Sequence, residues 1–359
     1  MPTNITKTRD SNLELFRIVL MLAIIAHHYV VNSGLMACID AEPTSVRSLG
    51  LLLFGAWGKT GINCFLLITG FFMCQSNISL KKFLKLLLEI CFYKIIFGCI
   101  FIVAGYTPIT LKEIAKIILP LLSVNHNFGG CFLLFFLGIP FLNILIKALS
   151  HRNFTYLLVL LLGIYTILPS GGIPVVFNYV TWFGIVYLVA AYIRIYLSQY
   201  IENEKVAINC WGGVTLALLA VSCLSVIALT FVFKSRYLFF LADSNKILAV
   251  LTSIALFLFF RNLKLGYSKF INTVAQSTFG VLLIHANSDA MRQWLWKDTL
   301  QNVRSFDSPY LWLHAVLSVL GIYIICVIID QLRIRLIEKP FFNYFGEKID
   351  NIEDKIFRR

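Results

Sequence analysis

The sequence predicts an all-α polytopic membrane protein of about ten transmembrane helices with both termini cytoplasmic. Three observations carry this. Hydrophobic residues make up 59% of the chain and charged ones 14%, with a mean hydropathy of +0.82. That leaves too little polar surface to wrap a soluble domain of 359 residues. Apolar windows of about 20 residues, enough to cross about 30 Å of hydrocarbon, recur along the whole chain. Finally, Lys and Arg gather at alternate ends of those windows.

Ten windows fit, at 13–33, 49–74, 83–105, 130–149, 154–168, 178–197, 209–232, 245–262, 270–288 and 310–330. The fifth is short and ends at Pro169. The run LKEIAKIILPLL (111–122) is too short to cross and is interrupted by Pro120, so it reads as a re-entrant or interfacial helix. MRQWLWKDTL (291–300), with two tryptophans and mixed charge, reads as an interfacial amphipathic helix. With the amino terminus inside, the inner segments hold 19 Lys and Arg against 9 in the outer ones. The formal charge of +13 therefore marks inner-surface anchoring, and no nucleic-acid partner is expected.

These windows divide the chain into a cytoplasmic segment (1–12), a membrane-embedded domain (13–330) and a cytoplasmic tail (331–359). Lys7, Arg9, an apolar run and LMAC ending at Cys38 loosely imitate a lipoprotein signal. Arg17, His27 and His28 within the run argue instead for an uncleaved first span. Nine cysteines are scattered without CxxC or Cys/His ligand spacing, and read as small buried hydrophobes rather than disulfides or metal ligands.

Several polar residues interrupt the apolar windows. The eleven steps from Arg17 to His28 make almost three helical turns, which puts both on one face about 16 Å apart along the axis; His27 points about a quarter-turn away. Either Arg17 pairs with Glu14 and snorkels while the histidines sit wet at the outer interface, or the stripe is functional, the default for intramembrane ionisable groups. In GKTGINCFLLITGFFM, Gly61, Thr69 and Gly70 suit close helix approach, and Asn63 needs a partner. Lys81, Lys82 and Lys85 either anchor the chain at anionic lipid or cradle phosphates. Glu89, within reach of Lys85, and Lys94, which calls for a partner on another helix, form either a structural ion pair or a cavity wall. INTVAQSTFGVLLIHANSD sets His285 two turns beyond Ser277 and Thr278 and four residues before Asp289, as an orienting group or a satisfied helix-end histidine.

Taken together, Arg17 followed by His28, then GINCFLLITGFF, a basic cluster after the second span, TFGVLLIH, and EKPFF in the tail resemble the acyltransferase-3 family, over residues 11–345. FLNILIKALSHRNFTYLLVLL and WFGIVYLVAAYIR look like its middle spans. The resemblance implies a multi-pass protein of the bacterial cytoplasmic membrane that moves an acyl group, commonly acetyl, from coenzyme A to a sugar hydroxyl. His28 matches the family's essential histidine and Arg17 its first-span arginine. Lys82 and Lys85 stand where the family has Arg-x-x-Arg, keeping the charge but losing bidentate geometry. The aromatic patch before the fourth span, NFGGCFLL, lacks the family's tryptophan.

The implied chemistry uses acetyl-CoA (or another acyl-CoA) as donor substrate, with no bound cofactor. Lys82 and Lys85 would hold its phosphates, Arg17 would steady the arm or a phosphate, and His28 would act as general base. Asn63 and His285 are candidates for stabilising the oxyanion. The acceptor is a polysaccharide, a lipid-linked sugar or a glycolipid, met at the lipid bilayer. A transporter or flippase for a glycan or small polar solute is the competing expectation. No inverted repeat of hydropathy supports it.

Overall fold

The structure, a computed structural model, describes residues 11–76, 78–119, 128–198 and 204–357. Every regular element among them is helical, as hydrocarbon requires of a chain whose backbone polar groups must find partners within each segment. The opening part comprises α1 (Ser11–Val31), α2 (Leu35–Ala41), α3 (Val46–Gly55), α4 (Gly58–Met73), α5 (Leu80–Val103) and the short α6 (Leu111–Ile118). Then follow α7 (Phe128–Ala148), α8 (His151–Ser170), α9 (Tyr179–Leu197), α10 (Glu204–Phe233) and α11 (Ile247–Asn262). The closing part holds α12 (Lys269–Ala275), α13 (Thr278–His285), α14 (Asp289–Arg292), α15 (Leu311–Arg333) and α16 (Lys339–Phe357).

Eight helical stretches among the described residues are long and apolar enough to cross a membrane, which makes the chain an all-α polytopic membrane protein. Seven of them fall on the first seven expected windows and the eighth contains the last, although the second bends where α3 meets α4. The window at 245–262 is the 16-residue α11. The window at 270–288 is broken at Gln276–Ser277 into α12 and α13. The last window does not stop at 330: α15 passes through a π-helical turn (Ile334–Glu338) into α16, so the tail is helical too. The MRQWLWKDTL run is not one flat interfacial helix. There α14 runs into a π-helical turn (Gln293–Thr299) that buries Trp296 edge-on to Tyr29 and leaves Trp294 exposed. Residues 1–10 of the expected amino-terminal segment and 120–122 of the 111–122 run lie outside the described residues.

Helix starts are written locally. Ser45, Ser79, Thr110, Ser150, Asn178, Ser268 and Ser288 each accept a bond from the backbone N–H three residues on. Each thereby satisfies a donor that the first turn leaves orphaned. One helix end is closed from a distance: the Asn12 amide donates to the carbonyls of Phe260, Arg261 and Leu263 at the end of α11.

Helix α1 sits at the centre, touching α3, α4, α11, α12, α13 and α15. Its closest neighbour approaches through glycine. A Cβ at Gly55 would stand 2.9 Å from Val30, one at Gly58 2.3 Å from the His27 ring, and one at Gly61 3.1 Å from Ile24. Three glycines at a spacing of three thus press the α3–α4 backbone onto α1, the packing that replaces hydrophobic drive inside a membrane. Gly70 does the same against Tyr187 and Ala190 of α9.

Candidate functional site

A cavity of about 630 Å³ runs beside α1. Arg17, Met21, Ile24 and His28 line it, one face of the helix at spacings of four, three and four residues. His27 lines it as well, contrary to the quarter-turn expectation. The reason is Gly58: the ring of His27 occupies the space a side chain there would fill, with its Nδ1 2.6 Å from the Gly55 carbonyl oxygen.

Around His28 the hydrogen bonds fix a direction. His285 Nδ1 lies 2.6 Å from the Val281 carbonyl oxygen, which can only accept, so this nitrogen carries the proton. In the neutral ring Nε2 is then an acceptor, and His28 Nδ1, 3.0 Å away, donates to it. His28 in its neutral form is left with a bare Nε2 lone pair. His285 itself is 1% exposed and does not line the cavity; it stands behind His28. Ser277 and Thr278 do not touch it: Ser277 accepts from Gln331, and Thr278 donates to Ala275.

At the Arg17 end lie Lys85, Glu89, Arg333, Glu338 and Lys339. Arg17 meets Glu14 at 3.3 Å, as the i, i+3 spacing predicts. Glu89 does not use Lys85. It pairs with Arg333 at 3.0 Å, while Lys85 pairs with Glu338 at 2.6 Å. Arg333 also bonds Asp330 and Glu338, both at 2.8 Å, so its three nitrogens meet three carboxylates. Tyr93 donates to Asp330 at 2.7 Å. On the other side of Asp330 a Cβ at Gly280 would stand 2.2 Å from the carboxylate, so only glycine fits this turn of α13. One guanidinium thus ties α5 to α15 beside the helix that carries His285.

Two of the expected site residues stand apart. The Asn63 side chain is filled at both ends, donating to the Ser244 carbonyl at 2.7 Å and accepting from Trp182 Nε1 at 2.9 Å, and it does not line the cavity. Lys82 is exposed and also outside the lining. In turn, the cavity recruits residues that sequence reasoning passed over. Lys59 lines it beside His27 and is held by Tyr179 and, at 3.5 Å, by Asp243. Lys94, for which a cavity wall was one of two expected readings, lines it at the His28 end, where Arg292 joins it. Glu338 and Lys339 are the first two letters of EKPFF, a pattern that carries family likeness and no information on position.

An all-helical membrane protein with a cationic, imidazole-lined cavity along its central helix suits the handling of an anionic substrate at membrane depth. A family model described as an acyltransferase domain matches residues 10–330, and the chain belongs to that family, acyltransferase 3. It is therefore a membrane acyltransferase. No match was found among curated proteins or among solved structures.

Proposed function

We propose that the protein moves an acyl group, most simply acetyl, from cytoplasmic acyl-CoA to a sugar hydroxyl of a polysaccharide, lipid-linked sugar or glycolipid, working in a bacterial cytoplasmic membrane with both termini inside. The single observation that carries this reading is that one cavity joins the Arg17 cation to the directed His28 ring. The 19 to 9 distribution of Lys and Arg supports an orientation with the Arg17 end toward the cytoplasm. Arg17, Lys85 and Lys339 then meet the donor's phosphates, and Lys82, outside the lining, adds long-range attraction. The uncharged pantetheine arm runs along α1 to the imidazole, about 16 Å further on.

There the acceptor hydroxyl gives its proton to His28 Nε2 as its oxygen attacks the thioester carbonyl. The carbonyl oxygen takes up the displaced electron pair, which returns as the C–S bond breaks. His28 hands the proton to the departing thiolate. With Asn63 filled and His285 occupied by His28, Lys59 is the lining cation beside the histidines that faces the transient oxyanion. The test is release of free coenzyme A from acetyl-CoA by the purified protein in lipid nanodiscs with added glycan. His28→Ala is expected to abolish transfer at normal protein level, and retained transfer in that variant would overturn the assignment.

A further inference from the structure

His28 does not stand alone at its end of the cavity. His27 lines the same space, and the two rings lie 5.8 Å apart, centroid to centroid. Like its neighbour, His27 has a fixed tautomer. Its Nδ1, 2.6 Å from the Gly55 carbonyl oxygen, carries the proton, because a carbonyl can only accept. In the neutral ring Nε2 is then a bare acceptor, and it meets no hydrogen-bond partner among the described residues. Lys59, the cation beside it, directs its N–H groups at Tyr179 and Asp243 and none at this nitrogen. The Cγ–Cδ2 edge of the ring is pressed on Gly58, where a Cβ would stand 2.3 and 2.6 Å from those two atoms. The edge left to the cavity is the one that carries Nε2.

The cavity therefore offers two imidazole lone pairs side by side, one ring directed by His285 and the other by Gly55. The first takes the proton of the reacting hydroxyl. The second calls for a donor of its own, since a polar atom closed in beside its ligand and left unmet is costly. The acyl group and the thioester carry no N–H or O–H. The amides of the donor's arm trail back toward Arg17, and the His27 ring turns the other way. Gly61, Gly58 and Gly55 meet Ile24, His27 and Val30 in turn, so the bond to Gly55 draws the ring away from the Arg17 end. What approaches from that side is the acceptor.

We infer that His27 is a specificity-determining residue whose Nε2 accepts a hydrogen bond from a second hydroxyl of the acceptor, on the carbon next to the one being acylated. This rests on the acyl-transfer reading above and adds the class of acceptor, a sugar unit with free hydroxyls on two neighbouring carbons. Two such hydroxyls, each bonded at about 2.8 Å, fit between rings at this spacing. An acceptor without the second hydroxyl leaves Nε2 unmet, which is how a polar site rejects a close analogue.

The test uses membranes from cells producing the full chain, incubated with labelled acetyl-CoA, with the labelled position mapped by mass spectrometry of the glycans. Label next to a free hydroxyl on the neighbouring carbon supports the inference. Label on a hydroxyl whose neighbouring carbons bear none overturns it. With the labelled glycan's unlabelled form as acceptor, His27→Phe keeps an aromatic ring against Gly58 but has no lone pair. It is expected to raise the acceptor KM about tenfold or more, with the acetyl-CoA KM within about twofold of wild type. His27→Gln, whose amide oxygen accepts, restores part of the loss, which a packing role alone would not give. An acceptor KM unmoved in the His27→Phe variant overturns the inference. So does a change confined to the acetyl-CoA KM, which would place the donor's arm on this nitrogen. Absence of any label, together with no binding of acetyl-CoA to the purified protein, is a different failure: it removes the acyl-transfer reading itself.

Discussion

His28 Nδ1 stands 3.0 Å from His285 Nε2, and His285 is in turn anchored to the backbone of its own helix at Val281. The relationship resembles the way a catalytic base is oriented by a group that never meets substrate. Here a second imidazole, not a carboxylate, sets the tautomer.

His285 should therefore behave as a positioning residue. His285→Ala is expected to lower kcat about 10²-fold or more while KM for both substrates changes little, because the proton on His28 is no longer directed. His285→Gln, whose amide oxygen is able to accept from His28 Nδ1, should recover part of the loss. A quiet packing role predicts equal activity for the two variants and a loss of protein level instead.

Asn63 should matter to stability and not to chemistry. Asn63→Ala strands Trp182 Nε1 and the Ser244 carbonyl, each at a cost of about 1–3 kcal/mol. A lowered unfolding temperature in detergent, with kcat of the surviving protein close to wild type, is the expected result. A large fall in kcat with unchanged stability would instead return Asn63 to the oxyanion.

Lys85 and Lys82 should separate. Both are exposed, but Lys85 lines the cavity and bonds Glu338, whereas Lys82 stands outside the lining. Lys85→Ala is expected to raise the acyl-CoA KM about tenfold, and Lys82→Ala by about twofold or less, with the smaller effect fading in salt. Equal losses would mean that the nucleotide docks outside the cavity mouth.

The Arg333 cluster should tolerate no single removal. Arg333→Leu leaves Glu89, Asp330 and Glu338 together without their shared cation, and about 3–5 kcal/mol of stability is expected to go with it. Gly280→Ala should act on the same cluster by pushing a methyl group into Asp330. Both are read by yield and thermal unfolding in detergent, and a normal unfolding temperature in both would deny the cluster its structural role.

Much of this was legible in the letters. Window length and composition are local properties, and they place the crossing helices because hydrocarbon leaves so few other options. The helical period alone puts Arg17 and His28 on one face. It fails where a neighbour decides: His27 joins the cavity because Gly58, thirty-one residues on, has no side chain. Glu89 looked toward Lys85 because spacing along one helix is visible, whereas Arg333 reaches it from another helix. Asn63 announced that a buried amide needed partners but not that Ser244 and Trp182 would engage its nitrogen and its oxygen away from the cavity. Lys94 and Arg292 lie almost two hundred residues apart, so no local pattern reports that they share a wall.

The wound-out turn at Ile334–Glu338 sets the phase of everything that follows it. A π turn accommodates one more residue than an α-helix does, and each residue rotates the next by about 100°. Deleting one residue there is expected to close the turn to an ordinary α-helix, with Asp330, Arg333 and Lys339 keeping their places. The last long helix thus carries one residue of slack just where Glu338 reaches back to Arg333 and Lys85, a stretch that forgives a shortened count more readily than the loss of that carboxylate.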